Sequence, residues 1–270
     1  MGEFMNTKTV TGHIAATAAA LLLTAGVANA ADLFDRATPY SMKDAPVERE
    51  RPKCGANVAL TTDYVFRGVS QTDEGPAIQG GFDCDYRMFY AGVWASNLDF
   101  GGDGAGNDIA NIEIDVYGGI KHKFGPVEAD LGVIYYAYPQ AEDAGAELDY
   151  VEFKFGLSGN LTDKIGLGGT LFYSPDYTGE TGETLTYEGT VSVALGTYGR
   201  FSPSFTALIG YVDFFDNDAL SYAYWNAGVE VGFAEKFTLD LRYWDTDSDG
   251  EAIFGDIAEE RFVATVSASF

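Results

Sequence analysis

Asp245-Thr246-Asp247-Ser248-Asp249-Gly250, with Asp256 in the twelfth place, has the spacing at which oxygen ligands wrap a calcium ion. Carboxylates at alternate positions can converge on one centre, and a glycine in the sixth place permits the sharp turn. Two features depart from the pattern. Asp256 stands where a bidentate Glu is usual, and no helical signal flanks the segment. Asp245, Asp247, Asp249 and Asp256 are a candidate calcium site, set against the plainer reading of a solvated acidic loop.

Other reactive groups are few. His13 falls in an N-terminal leader, which leaves His122 beside the turn at 123–126. One histidine builds neither a Ser/His/Asp triad nor a zinc centre. Outer-membrane phospholipases and omptin proteases use a histidine toward the outer side, and His122 is expected at the opposite end. The pair Glu128/Asp130 could do acid–base work, but alternation along a strand explains it more simply. No catalytic residue is assigned and no enzyme is expected. Cys54 and Cys84 are expected near the same ends of the first two strands. Parity places Cys84 with Ile78, Phe82 and Tyr86 on an outward face, so no disulfide is expected.

The elements that must position these groups are strands. The chain has 270 residues, 46% hydrophobic and 14% aromatic, with 33 Gly but only 2 Cys. Glycine and aromatic richness fits an all-β protein with many turns. Acidic residues outnumber basic ones 41 to 16, a net charge of −25. That excess excludes a nucleic-acid partner, which needs a basic face, and a polybasic membrane-surface binder.

Met1–Phe4 precede a second methionine, Met5, and read as cloning residues. Lys8, the apolar run 14–27 and Ala28-Asn29-Ala30 have the order of a signal peptide over 5–30. Residues 31–54 have no period-two pattern and are expected as a periplasmic segment, in which Arg49, Arg51 and Lys53 could reach into a barrel lumen.

From Gly55 onward apolar and polar residues alternate with period two. About twelve strands are expected, near 56–69, 76–87, 89–98, 110–122, 127–138, 148–159, 164–174, 184–196, 201–214, 222–233, 237–245 and 261–270. Short turns near 87–88, 123–126, 160–163, 197–200 and 234–236 alternate with longer polar loops at 70–75, 99–109, 139–147, 175–183, 215–221 and 246–260. A sandwich has no reason to keep that asymmetry. An outer-membrane barrel has it, with short periplasmic turns and longer extracellular loops. The expected fold is therefore an all-β, transmembrane, up-and-down antiparallel β-barrel of about twelve strands over 55–270, located in the bacterial outer membrane.

Aromatic residues fit two interfacial belts. Phe89, Tyr90, Phe124, Tyr198, Phe201 and Phe237 fall at the short-turn end. Tyr135, Tyr138, Tyr173, Tyr211, Phe214, Tyr222, Trp225 and Tyr243 fall at the long-loop end. Phe262, Ala264, Val266, Ala268 and Phe270 share one face of the last strand. A terminal Phe270 has the form of the signal read by the barrel-assembly machinery, although Ala268 stands where an aromatic is common.

Thr61-Thr-Asp-Tyr-Val-Phe-Arg-Gly-Val-Ser-Gln71 and Gly75–Phe82 resemble the opening hairpin of the TorF family of porins. Tyr90–Asn97 and Ile112–Gly119 are similar to its next blocks. The resemblance covers most of 55–270 and implies an outer-membrane barrel acting as a channel, with no catalytic residues to carry over.

Parity then assigns charged residues to the lumen, because Arg or Lys on the lipid face costs about 2–4 kcal/mol at mid-bilayer. The pore-lining set is Asp63, Arg67, Asp83, Asp85, Glu113, Asp115, Glu128, Asp130, Glu152, Lys154, Glu230, Asp240 and Arg242, with Glu188, Arg87, Lys121 and Arg261 also inward. Carboxylates exceed bases, so an open lumen would prefer cations. Barrels of about eight strands are filled by side chains and those of sixteen or more hold an aqueous channel. Twelve allows either a narrow channel for small hydrophilic solutes or a closed barrel with a structural or adhesion role. Expected partners are outer-membrane lipid, lipopolysaccharide, the barrel-assembly machinery and small solutes.

Overall fold

The computed structural model describes residues 51–101, 109–139, 141 and 147–270. The expected cloning residues 1–4, the expected signal peptide 5–30 and the N-terminal segment before Arg51 lie outside the described residues. Twelve strands close an antiparallel barrel: β1 (Lys53–Thr61), β4 (Ala77–Tyr86), β5 (Phe89–Asn97), β6 (Ile112–Phe124), β7 (Val127–Ala137), β8 (Tyr150–Asn160), β9 (Ile165–Ser174), β10 (Thr184–Ala194), β11 (Phe201–Phe214), β12 (Tyr222–Phe233), β13 (Phe237–Thr246) and β14 (Arg261–Ser269). A two-stranded hairpin, β2 (Val65–Phe66) and β3 (Val69–Ser70), lies between β1 and β4.

Each barrel strand pairs with its sequence neighbour. β1 closes the circle by pairing with both β4 and β14. At the seam, the Ala56 and Phe270 backbones exchange hydrogen bonds of 3.1 and 2.9 Å, so the terminal Phe270 helps to close the wall. Closure removes the unpaired edge that a bilayer would not tolerate. Among the described residues no helix is long and apolar enough to cross a membrane; the strands, of 9 to 14 residues, are long enough to do so tilted.

The two faces of the wall differ as the alternation requires. Leu60, Ile78, Val116, Leu131, Phe153, Ile209, Leu241 and Val266 are exposed on the outside, with Ile209 at 64%. On the same strands Glu113, Asp115 and Glu152 face inward at 0% exposure. So much outward apolar surface would be an aggregation liability in water and is the lipid-facing band of a membrane barrel.

Short and long connections alternate as expected. The short-turn rim holds tight links such as Arg87-Met88 and Gly125-Pro126, where Arg87 (φ 58°) and Gly125 (φ 64°) take left-handed conformations. Arg87 is therefore a turn residue and not a strand residue of the lumen wall.

Three further expectations are corrected. The first strand ends at Thr61 and not near residue 69. Local side-chain bonds turn the chain inward there: Thr61 Oγ1 donates to the Asp63 carbonyl at 2.8 Å, and Tyr64 N donates to Thr72 Oγ1 at 3.1 Å. Tyr64 and Phe66 are consequently buried inside the barrel and do not face lipid.

The second correction concerns the aromatic belts. Phe89, Phe124, Tyr198, Phe201 and Phe237 are exposed around the short-turn rim, and Tyr135, Tyr211 and the outward pairs Phe153–Tyr173 and Tyr243–Phe262 sit toward the long-loop rim. Tyr138, Phe214 and Tyr222 are buried in the interior, and Tyr90 faces inward, lying along the wall over Gly119 to reach Asp130 two strands away. Strand parity sends them inward.

The third concerns the cysteines. Cys54 and Cys84 form a disulfide. They are direct cross-strand partners in the β1–β4 register. Both belong to the outward face, as parity said of Cys84, but register also sets them opposite one another.

Candidate functional site in the barrel lumen

The hairpin 65–70 hangs from the β1–β4 connection into the long-loop half of the lumen. Its tip, Arg67-Gly68, has φ of 47° and 83°, the paired positive values of a type I′ turn. Gly68 fits so closely against β12 and β13 that a Cβ would overlap Thr246 Cγ2 and sit 3.0 Å from Tyr224 Cβ. Arg67 reaches across to β8, where its Nη1 and Nη2 donate to Glu152 Oε1 and Oε2 at 2.8 and 3.0 Å. The hairpin thus spans the lumen from wall to wall.

Its base is pinned as firmly. Asp63 accepts from Ser70 Oγ at 2.6 Å and Thr72 Oγ1 at 3.0 Å, and Arg261 on β14 donates to it at 3.2 Å. Arg261 also pairs with Glu74 at 3.3 Å. Asp99 N donates to the Gln71 carbonyl at 2.9 Å, which ties the connection to the next loop.

Aromatic rings fill the space around the hairpin. Tyr136 stacks on Tyr150 with centroids 4.3 Å apart, and Tyr177 sits edge-on to Tyr150 and Phe214. Tyr64 packs edge-on to Trp94 at 5.4 Å. The Arg67 guanidinium lies 4.7 Å from the Phe66 ring centre and 5.2 Å from that of Phe172. Tyr136 donates to Glu152 at 2.9 Å and Arg67 Nη1 to Tyr177 Oη at 3.2 Å. Burial pushes the Tyr177 hydroxyl up to about 12, so it stays protonated at neutral pH. Beside the hairpin, a cavity of about 40 Å³ is lined by Asp63, Tyr64, Asp240, Arg242 and Trp244.

Toward the short turns the interior is ionic and less tightly packed. Lys154 pairs with Asp130 at 2.7 Å, and Tyr90 donates to the same carboxylate at 2.8 Å. Arg242 gathers Asp240, Asn226, Thr206 and Glu230 within 2.6 to 3.0 Å. Tyr224 donates to Glu188 at 2.6 Å, and Tyr117 donates to Asp83. Asp85 and Glu128 lie closest to the short-turn rim; Glu128 makes only a loose 3.9 Å contact with exposed Lys123.

The structure thus gathers most of the thirteen pore-lining candidates into the interior, but two of them, Asp63 and Arg67, arrive on the hairpin and not on the wall. Sequence reasoning missed the aromatic filling by Tyr136, Tyr150, Tyr177 and Tyr224. The signal was present in parity: Tyr136 shares the face of Asp130, and Tyr150 that of Glu152 and Lys154.

The acidic segment at 245–256 folds as a capped helix and not as the open ligand loop expected. α1 (Ser248–Phe254) starts at Asp247, whose Oδ1 accepts from Gly250 N at 3.0 Å and whose Oδ2 accepts from Ala223 N at 3.1 Å. Asp245 accepts from Tyr243 Oη and Thr246 N, each at 2.9 Å, while Asp249 and Asp256 point to solvent. Among the described residues no three His, Cys, Asp or Glu side chains converge as a metal cage. His122 lies near the end of β6 by the short turn, edge-on to Phe124 at 4.6 Å.

A closed barrel, apolar outside and ionic inside, is an outer-membrane β-barrel. Residues 50–270 match the family described as "Bacterial protein of unknown function (Gcw_chp)", and the chain belongs to it. No curated protein matches the chain. Among solved structures, the chain is similar to "KdgM porin", with a TM-score of 0.54 at 9% identity, over 80% of this chain and 99% of that one. A second structure, "KdgM porin in complex with disordered oligogalacturonate", has the same TM-score at 10% identity and the same coverage. The NanC porin follows with a TM-score of 0.49 at 11% identity, over 81% of this chain and 99% of that one. At such identities the likeness is one of fold.

Proposed function

We propose that the protein is a porin-like channel, of the kind its TorF-family resemblance implies, for passive diffusion of small hydrophilic solutes across the outer membrane. In this reading the hairpin 65–70 is the constriction, and the wider ionic half below it is the vestibule on the periplasmic side. The observation that carries the reading is that the short-turn half of the lumen is polar and open: Ser158, Thr190 and Ser192 share the parity of the inward Glu152 and Glu188 and are exposed. Eleven inward carboxylates against six inward or rim bases favour cations. The same excess disfavours a polyanion, so the oligogalacturonate of the KdgM complex is not carried over to this chain.

The remaining parts follow the same reading. No enzyme activity is proposed, since His122 sits at the short-turn end. Phe270 serves as the assembly signal for the barrel-assembly machinery. The outer acidic loops face lipopolysaccharide, whose phosphates divalent ions such as calcium bridge to acidic surfaces; Asp245 and Asp247, already engaged in hydrogen bonds, are not among the ligands. The signal peptide 5–30 directs export.

A closed barrel with a structural or adhesion role is the second reading. The packing of the long-loop half around the hairpin favours it. Reversal potentials in a planar bilayer under a KCl gradient separate the two. Discrete openings with the cation sign support the channel; anion selectivity contradicts the proposed preference, and a silent bilayer supports the closed barrel.

A further inference from the structure

Glu113 and Asp115 stand two residues apart on β6 and both face the lumen beneath the hairpin, completely buried. Tyr138 Oη donates to Glu113 Oε1 at 3.3 Å. Glu113 Oε2 and both Asp115 carboxylate oxygens have no protein hydrogen-bond partner. From the hairpin side the Tyr64 ring enters, buried, with its phenol oxygen near Glu113 and outside the limits of a well-formed hydrogen bond. Four unpartnered oxygens therefore point into one place from two separate elements.

Among the described residues no basic side chain pairs with them. The nearest described cations are engaged elsewhere: Arg67 on Glu152, Arg242 on Asp240 and Glu230, Arg261 on Asp63 and Glu74, and, farther toward the short turns, Lys154 on Asp130. Residues 102–108 and 142–146, in the two neighbouring loops, include no Lys or Arg in sequence. An ionised carboxylate buried without a counter-charge is strongly unfavourable, and two side by side are worse.

We infer that Glu113 and Asp115, with the phenols of Tyr64 and Tyr138, form a lumenal binding site for a hard divalent cation such as calcium or magnesium. Two carboxylates match the charge of the ion, and an all-oxygen donor set matches its preference. Because Tyr64 leads directly into the hairpin and Glu113 belongs to the wall, the ion also ties the hairpin to β6. The site is separate from the acidic loop at 245–256 and does not depend on the lumen conducting.

The test uses the purified full chain in detergent micelles, with terbium as the probe. Trp94, 5.4 Å from the Tyr64 ring, is a built-in sensitiser. Saturable sensitised emission that calcium displaces is expected. Asp115→Asn and Glu113→Gln should each weaken terbium binding by about 10-fold or more, the loss typical when even a supporting group is removed from a metal site. Asp247→Asn and Asp249→Asn should leave that emission in place, and heat-modifiable migration verifies that each variant is folded. The inference is overturned if the Asp115→Asn and Glu113→Gln titrations match wild type, or if only the loop variants lose emission. It is equally overturned if acidification stabilises the wild type while calcium and chelator change nothing at alkaline pH, since the pair then shares a proton.

Discussion

Arg67 and Glu152, 85 residues apart in sequence, meet in a two-pronged ion pair at 2.8 and 3.0 Å across the interior of the barrel. Both side chains are buried, and each makes one further hydrogen bond, Glu152 accepting from Tyr136 and Arg67 donating to Tyr177. One partner comes from the hairpin tip and the other from the wall, so this contact decides whether the hairpin stays in the lumen.

Removing the guanidinium should therefore cost more than a surface charge would. Arg67→Ala leaves Glu152 buried and unpaired, a loss of about 3–5 kcal/mol. Urea unfolding of the micelle-bound protein measures it. Arg67→Lys should recover only part of the loss, because an ammonium cannot reproduce the two-pronged contact. A fall below about 1 kcal/mol for Arg67→Ala, the range of exposed pairs, would mean that the pair does not hold the hairpin.

Gly68 tests the hairpin by size alone. Its φ of 83° disfavours any side chain, and a methyl group there would overlap Thr246. Gly68→Ala should push the tip off β12 and β13 and let water reach Tyr64 and Trp94. Acrylamide quenching of tryptophan emission should rise relative to wild type. Unchanged quenching, with the barrel intact, would place the tip elsewhere.

The disulfide should act on stability rather than on the lumen, because it lies on the outward face. It closes a loop between positions separated by 30 residues, which by chain entropy corresponds to about 3–4 kcal/mol. Reduction with dithiothreitol, or Cys54→Ser together with Cys84→Ser, should lower the unfolding midpoint. Titration of two free thiols in the untreated, oxidised protein would show that the bridge is not made.

Membrane placement can be read from a matched pair of arginine substitutions. Leu131 faces outward on β7, and Leu131→Arg should cost about 2–4 kcal/mol in lipid bilayers. Ser158 on β8 shares the lumen parity of Glu152 and Lys154, and Ser158→Arg should cost far less. Refolding yield and urea titration in liposomes compare them. Equal costs would mean that the two faces do not meet lipid and water.

Much of this architecture is legible in the residues. The alternation Glu113, Asp115, Tyr117 against Ile112, Ile114, Val116 fixes the faces of β6, and the alternation of short and long connections fixes a closed antiparallel barrel. What escaped is what depends on contacts distant in sequence. Residues 62–66 keep the period-two pattern of a strand, yet Asp63 and Thr72 fold them inward through local hydrogen bonds that periodicity does not report. Parity places Cys84 outward, but only the β1–β4 register sets Cys54 opposite it. The acids at 245–249 have ligand spacing, while the helix N-cap at Asp247 and the Ala223 amide take up a carboxylate that the spacing alone would offer to a metal.

The proposed channel requires a conducting lumen behind a removable hairpin. Single-channel recording of the wild type beside a variant in which a short Gly-Ser link replaces residues 64–71 tests it most directly. The variant should show larger, cation-selective conductance steps than the wild type while keeping heat-modifiable migration. A folded variant as silent as a protein-free bilayer would contradict it.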